Sequence, residues 1–264
     1  MKQAIAVKLP IMNIPNFSLY GKTALVTGAS GGLGQGFAVA LAAHGADIII
    51  TELPDKLETT QATLELVHAF GRKATALALD VQSVAQCKNL ALEAGDVDIL
   101  VNNAGVNRVQ WATDVTEENW DLVVDTNLKG AFFVSQAIGQ GMIARGLGGR
   151  IINIASQNGL IGYYQRAAYC SAKAGLINQT RVLALEWAKH GITVNAIAPT
   201  FVLTPLTEQT FSQPEIKADL ERRIPLGRIA TVEDMLGACV FLASSAAGFV
   251  TGHTLAVDGG WTAI

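Results

Sequence analysis

From residue 22 onward, seven short apolar runs alternate with longer amphipathic stretches. The runs are 23–27 (TALVT), 47–51 (DIIIT), 74–79 (ATALAL), 97–102 (VDILVN), 150–155 (RIINIA), 192–198 (ITVNAIA) and 253–257 (HTLAV). Most are rich in Val and Ile, and apolar runs of this length predict strands buried on both faces of a sheet. Helices are predicted near 32–44, 55–70, 83–94, 117–144, 168–189 and 232–245. In the first of these, Leu33, Phe37, Ala40 and Leu41 recur at i, i+4, i+7 and i+8, the stripe of a core-facing helix. Strand–helix alternation throughout predicts a doubly wound parallel α/β sheet. No Pro/Gly/Ser-rich linker and no internal repeat divides the chain, so one domain is expected over 19–264. Segment 199–228 breaks the rhythm, with Pro199, Pro205, Pro214 and Pro225. A long irregular insertion after a strand's carboxyl end is where a substrate lid is expected.

Composition narrows the function classes. Of 264 residues, 50% are hydrophobic and 16% charged, against a usual charged share of about 25%. Such a chain buries a large core, which excludes wholesale disorder. A net charge of −3 and a pI of about 5.8 speak against a nucleic-acid partner. Mean hydropathy is +0.33, yet no uncharged apolar stretch of about 18 residues occurs, so no membrane span is expected. The apolar excess points instead to buried parallel strands and an oligomer interface. Cys87, Cys170 and Cys239 are odd in number and widely spaced, fitting neither a disulfide framework nor a zinc site and favouring a reducing, cytoplasmic location. His44, His68, His190 and His253 lie far apart, so no metal is expected. Residues 1–17 carry Lys2 and an apolar run broken by Lys8 and Pro10, too short for a signal peptide. They are read as part of a flexible extension over 1–18.

The chemistry-bearing residues sit at the ends of the apolar runs. Thr27-Gly28-Ala29-Ser30-Gly31-Gly32-Leu33-Gly34 follows the first run and opens the first helix. Glycines there permit a tight turn and close approach of a pyrophosphate, whose charge the free N–H groups of the helix start can hold. A plain strand-to-helix turn has the same look when taken alone. Glu52 ends the second run, 18 residues after Gly34. A carboxylate there can accept from ribose hydroxyls and would repel a 2′-phosphate. With no Lys or Arg within 28–34, NAD is expected over NADP; Arg72 and Lys73 are the nearest argument for the other side. Asp80-Val81 closes the third run, where Asp can bond an adenine amino group. Asn102-Asn103-Ala104-Gly105 closes the fourth, leaving room for a flat ring or ribose. Ser156 ends the fifth run, and Tyr169-Cys170-Ser171-Ala172-Lys173 lies in a predicted helix. The i, i+4 spacing puts Tyr169 and Lys173 on one face. A phenol of pKa about 10 is a poor acid or base at neutral pH, and a nearby ammonium favours the phenolate.

In this order the motifs TGASGGLG (27–34), NNAG (102–105), Asn127, Ser156, YCSAK (169–173) and VDGGW (257–261) make residues 20–262 resemble a short-chain dehydrogenase/reductase. The resemblance implies a single Rossmann-type domain with a seven-stranded parallel sheet, NAD(P)-dependent oxidation or reduction of an alcohol/carbonyl pair, and a homotetramer. Carried over by position, Tyr169 is the general acid/base and Lys173 lowers its pKa and holds the nicotinamide ribose. Ser156 orients the substrate oxygen, and Asn127 supports a water-linked relay to Lys173. Asn103 lies near the adenosine-side ribose, with Ala104 and Gly105 beside it, while Pro199, Val202 and Thr204 lie near the carboxamide. One departure stands out: Pro199 is followed by Thr200 where the family commonly has Gly, so the backbone path at the expected nicotinamide end departs from the family pattern.

For the substrate, Gln157, Asn158, Gln165 and Arg166 flank the Ser and Tyr, and Arg108 follows the NNAG turn. These suit hydroxyls and a carboxylate better than a steroid or long acyl chain. Arg108 can clamp an anion or simply lie exposed in its loop. GGRIINIAS (148–156), Glu186-Trp187-Ala188-Lys189 and VDGGW are similar to the sugar-acid branch of the family. The alternatives are an NADPH-dependent reductase of 3-oxoacyl thioesters and a catalytically silent dinucleotide sensor on the same fold. The apolar ending 253–264 is expected at a subunit contact, with Trp261 buried between chains.

Overall fold

The computed structural model describes residues 14–204 and 207–263. Most of the expected N-terminal extension, and Pro205 of the expected lid, lie outside those residues. The strands are β1 Thr23–Thr27, β2 Asp47–Glu52, β3 Ala74–Ala78, β4 Ile99–Asn102, β5 Gly149–Ile154, β6 Ile192–Pro199 and β7 Thr254–Val257. They form one parallel sheet in the order β3-β2-β1-β4-β5-β6-β7. The chain reverses its direction of travel across the sheet between β1 and β4. That switch point opens a crevice at the strands' carboxyl ends.

The helices are α1 Gly32–Ala43, α2 Gln61–His68, α3 Val84–Ala94, α4 Glu117–Val124, α5 Ala131–Arg145, α6 Ala167–Trp187, α7 Glu208–Phe211, α8 Pro214–Arg223 and α9 Glu233–Ala243. They cover the sheet on both faces, which is why the strands read as continuous apolar runs; every residue of β6 is buried. On one face Phe37 and Leu41 of α1 pack with Met235, Cys239 and Leu242 of α9. On the other, Cys87 and Leu90 of α3 pack with Val134, Ile138 and Met142 of α5 and Leu183 of α6.

The structure corrects four expectations. The stretch 117–144 is not one helix. A wide i→i+5 turn at Asp125–Gly130 separates α4 from α5, and π-type turns of this kind gather at functional sites. The stretch 55–70 opens as a 3₁₀ turn at Pro54–Thr60, because Pro54 starts the segment and α2 begins only at Gln61. Segment 199–228 is not irregular; it holds α7 and α8, the latter opened by Pro214 at its first turn. Trp261 is buried within its own chain, among Phe211, Leu220, Ile224, Tyr163 and Phe201, so it does not wait for a second subunit.

Candidate active site

The glycine turn joins β1 to α1 under tight steric limits. Gly28 has φ +62°, and a Cβ on it would lie 3.0 Å from Ala104 Cα. A Cβ on Gly34 would lie 2.3 Å from the Gly28 carbonyl and 2.6 Å from Asn103 Nδ2. Asn103 is the clamp: its Nδ2 donates to the Thr27 and Gly28 carbonyls at 2.9 and 2.8 Å. The backbone N–H groups of Asn103 and Ala104 both donate to Thr27 Oγ1 at 3.0 Å. Asn103 thus shapes the turn with its side chain. Thr27, placed by the motif but given no separate role in the sequence reading, ties β1 to β4.

A dinucleotide fits this turn. Helix α1 starts from extended Gly31 with no side-chain cap and no acidic residue in its first turn, so its first N–H groups are open to an anion. Thr204 reaches the same place, 3.6 Å from the position of a Cβ on Gly32. Glu52 stands at the edge, accepting from Ser30 Oγ at 2.6 Å and from the Leu53 N–H at 3.0 Å. Asp80 is held at the end of β3: its N–H donates to Gln86 Oε1 at 2.8 Å and its Oδ1 accepts from the Gln82 N–H at 3.0 Å. Val81, next in the chain, is buried. Leu33 packs partly buried against the core.

The residues expected to carry the reaction meet at the carboxyl ends of β4 and β5. Ser156 Oγ accepts the Asn158 N–H at 3.1 Å, and its hydroxyl lies near enough to the Tyr169 phenol to favour the ionised form. Lys173 is buried, donates from Nζ to the Ile154 carbonyl at 2.7 Å, and lies 5.6 Å from the Tyr169 ring centre. Asn127 sits in the wide turn. Its Nδ2 donates to the Val106 and Val123 carbonyls at 2.7 and 2.8 Å, and its buried Oδ1 has no partner among the described residues. A Cβ on Gly105 would stand 2.7 Å from that oxygen. Beneath, Asn102 Nδ2 donates to Ser135 Oγ and Asn153 Oδ1 at 2.7 and 2.8 Å, and Asn153 donates to Thr180 Oγ1 at 2.9 Å. This buried network is not legible in the sequence, because its partners are scattered over four elements.

Burial pushes the Tyr169 phenol above its ordinary pKa, opposed by the Ser156 hydrogen bond and the charge of Arg166. Burial also pushes the Lys173 ammonium down to about 7. The expected lowering of the phenol by Lys173 is not what the protein alone displays: Lys173 is not among the groups that shift the phenol, and burial drives the ammonium itself toward neutrality.

Of the residues expected near the carboxamide, Pro199 is buried on β6, Val202 pairs with Ala230, and the Thr204 N–H donates to Thr207 Oγ1 at 2.9 Å. Thr200 stands where the family commonly has Gly. It has no positive φ, and its N–H donates to the Val257 carbonyl at 3.2 Å, so this backbone path accepts a side chain. Arg108 is exposed and donates to the carbonyl of Asn107. Asn158 is buried beside Ser156, and Arg166 is half-buried at the start of α6.

Fold, glycine turn and the Ser156, Tyr169, Lys173 cluster define a nicotinamide-dependent oxidoreductase, and the chain belongs to the short-chain dehydrogenase/reductase family. A family model described as Enoyl-(Acyl carrier protein) reductase matches residues 28–262. The chain is an NAD(P)-dependent oxidoreductase acting on CH–OH groups. It is similar to the 2-dehydro-3-deoxy-D-gluconate 5-dehydrogenase of Escherichia coli, 44% identical over 256 residues, 96% of this chain and 100% of that protein. It is also similar to the galactitol 2-dehydrogenase of Agrobacterium fabrum, 42% identical over 92% of this chain and 98% of that protein. A solved Agrobacterium tumefaciens structure with bound NADP superposes with a TM-score of 0.88 at 43% identity, covering 94% of this chain and 99% of that one.

These structures overturn the expectation of NAD over NADP. NADP is bound in relatives at 43%, 40% and 35% identity. Glu52 accepts from Ser30 and Leu53 and keeps its charge, but that charge alone does not decide between the two dinucleotides. The cofactor is NAD(P). Among the described residues no group of His, Cys, Asp and Glu is gathered to hold a metal, and no helix is long and apolar enough to cross a membrane.

Proposed function

We propose that this enzyme interconverts a secondary alcohol and a ketone on a sugar acid, sugar or polyol. One observation carries the substrate reading. Buried polar atoms without protein partners occur on the segments that follow β4, β5 and β6: Asn107 Oδ1, both amide atoms of Gln157, Asn158 Oδ1 and Thr200 Oγ1. Buried polar groups are satisfied in working proteins, and a polyhydroxylated substrate brings donors and acceptors to that edge. A long acyl chain brings none, which disfavours the 3-oxoacyl thioester reading.

A bound nicotinamide ring supplies the hydride acceptor or donor. Gly28, Ser30, Gly32, Gly34, Glu52, Asp80, Val81, Asn103, Ala104, Gly105, Pro199, Val202 and Thr204 would line the dinucleotide. Ser156 holds the substrate oxygen and, by accepting the Asn158 N–H, keeps its own proton directed outward. Tyr169 takes the hydroxyl proton in oxidation and returns it in reduction. Lys173 steadies the phenolate, and Asn127 supports proton exchange through its unpartnered Oδ1. Positioning of this kind contributes roughly 7–11 kcal/mol, and acid–base catalysis a further factor of about 10²–10⁴. The segment carrying α7 and α8 acts as the lid.

The assembly is a homotetramer in this reading, supported by Trp120, Val182 and Leu185, large apolar side chains left exposed on α4 and α6 of the single chain. Three free cysteines support a cytoplasmic location. The test is absorbance of the reduced nicotinamide with both dinucleotides across aldonic acids, aldoses, polyols and a 3-hydroxyacyl thioester. Turnover of a sugar acid or polyol is expected, and Tyr169→Phe should lower it by at least about 10²-fold. Turnover of the thioester alone sinks the substrate assignment.

A further inference from the structure

Arg166 is unusual for a surface arginine in its burial and its lack of an acidic partner. It is half-buried, and burial works against its charge. Among the described residues it has no ion pair, whereas nearby Arg223 is paired with Asp219 at 2.8 Å. Its guanidinium lies 5.9 Å over the Tyr163 ring, and the ionisable groups that sense it are Tyr163, Tyr169 and Cys170, with no Asp or Glu among them. Desolvated cations are normally paired.

Helix stability does not explain it either. Arg166 caps the N-terminus of the 21-residue α6, the end where the helix dipole disfavours a cation and favours an anion. Its backbone is also held deliberately. Gln165 is the one non-glycine residue with positive φ among the described residues, at 60°. The Gln110 N–H donates to the Gln165 carbonyl at 3.1 Å, and Gln110 bridges to Arg166, tying this corner to the segment after β4. Strain of this type persists where surrounding structure enforces it, commonly at ligand clamps.

We propose that Arg166 is the receptor for the carboxylate of an acidic substrate, held by the left-handed Gln165 one helical turn from Tyr169. This rests on the sugar-acid side of the function proposed above and narrows it: the enzyme selects carboxylate-bearing substrates over their neutral polyol counterparts. A carboxylate at this corner gains the guanidinium, the unpaired N–H groups of the α6 start and a partly dry setting. The exposed Arg108 is not the selecting group, because solvent screens its charge.

The test measures binding rather than turnover, so that it stands apart from the reaction assay. The enzyme saturated with oxidised dinucleotide is titrated calorimetrically with D-gluconate and with D-glucitol, which differs from it in lacking the carboxylate. Gluconate should bind at least tenfold tighter. Arg166→Gln should erase that preference, weakening gluconate by tenfold or more and moving glucitol by less than threefold. Arg166→Lys, which keeps the charge, should retain part of it, and Arg108→Gln should leave it intact. Equal affinity of the two probes for the unmodified enzyme overturns the proposal. So does a preference that survives Arg166→Gln, or equal weakening of both probes, which would mark a merely structural arginine. An Arg166-dependent preference in an enzyme that turns over only the thioester would leave this receptor standing and remove the reaction assignment.

Discussion

Replacing Lys173 by Met should stabilise the free protein at neutral and acidic pH while abolishing its activity. The folded chain buries the ammonium, and its pKa falls from 10.5 to about 7. At about 1.36 kcal/mol per pH unit, that fall from 10.5 to about 7 corresponds to a folding cost of about 5 kcal/mol. The unfolded chain binds the Lys173 proton more tightly than the folded one, so stability rises with pH between the two values. The cost is fully present below pH about 7 and is relieved as the pH climbs toward the unfolded value. Met keeps the apolar stem but forfeits the 2.7 Å hydrogen bond to the Ile154 carbonyl, a loss of about 1.5–3 kcal/mol. The variant should therefore exceed the parent by about 2–4 kcal/mol at pH 6, or roughly 4–16 °C in Tm for a domain of this size. Thermal unfolding without dinucleotide, from pH 6 to 9.5, reads the effect. Taking the difference between the two proteins cancels every other titrating group. The advantage should shrink by about 3 kcal/mol between pH 7 and 9.5. A difference that stays flat with pH, or a variant less stable than the parent at pH 6, would refute the reasoning.

Two further outcomes follow from the geometry. Gly34→Ala forces a Cβ against the Gly28 carbonyl and Asn103 Nδ2, so it should cost about 2–4 kcal/mol of stability through overpacking and lost hydrogen bonds. It should also weaken NAD and NADP alike by tenfold or more in a calorimetric titration, and unaltered binding would contradict the clamp. Gln165→Gly removes the penalty of about 1–2 kcal/mol for a left-handed L-residue, offset by about 0.4–1 kcal/mol of extra unfolded-state entropy. The net gain is about 0–1.6 kcal/mol, so a rise in Tm of up to roughly 6 °C is expected, and a fall would show that Gln165 is not strained.

Local chemistry made much of the site readable. Tyr169 and Lys173 share a helix face because they are four residues apart, and no distant contact changes that. The strands were visible because a sheet covered on both faces needs continuous apolar runs. The break at Asp125–Gly130 was invisible because amphipathic patterning continues across it. Asn127 reaches the Val106 and Val123 carbonyls, and the first of these is 21 positions away. Glu52 was legible as a carboxylate at a strand end, but one charge does not set a cofactor preference that the whole pocket around the ribose decides, and NADP-bound relatives overturned the reading drawn from it.

The amino-acid order alone therefore determined the alternation of strands and helices, the glycine turn at a strand end and the pairing of a phenol with an amine, because each depends on neighbours within a helical turn or a few strand residues. Tertiary structure alone decided where charges and polar atoms find partners. Asn103 turned inward to clamp the glycine turn, Trp261 closed onto α8 of its own chain, and Arg166 was left without a counter-ion. Burial and pairing are sums over residues far apart in sequence, and only the closed fold carries them out.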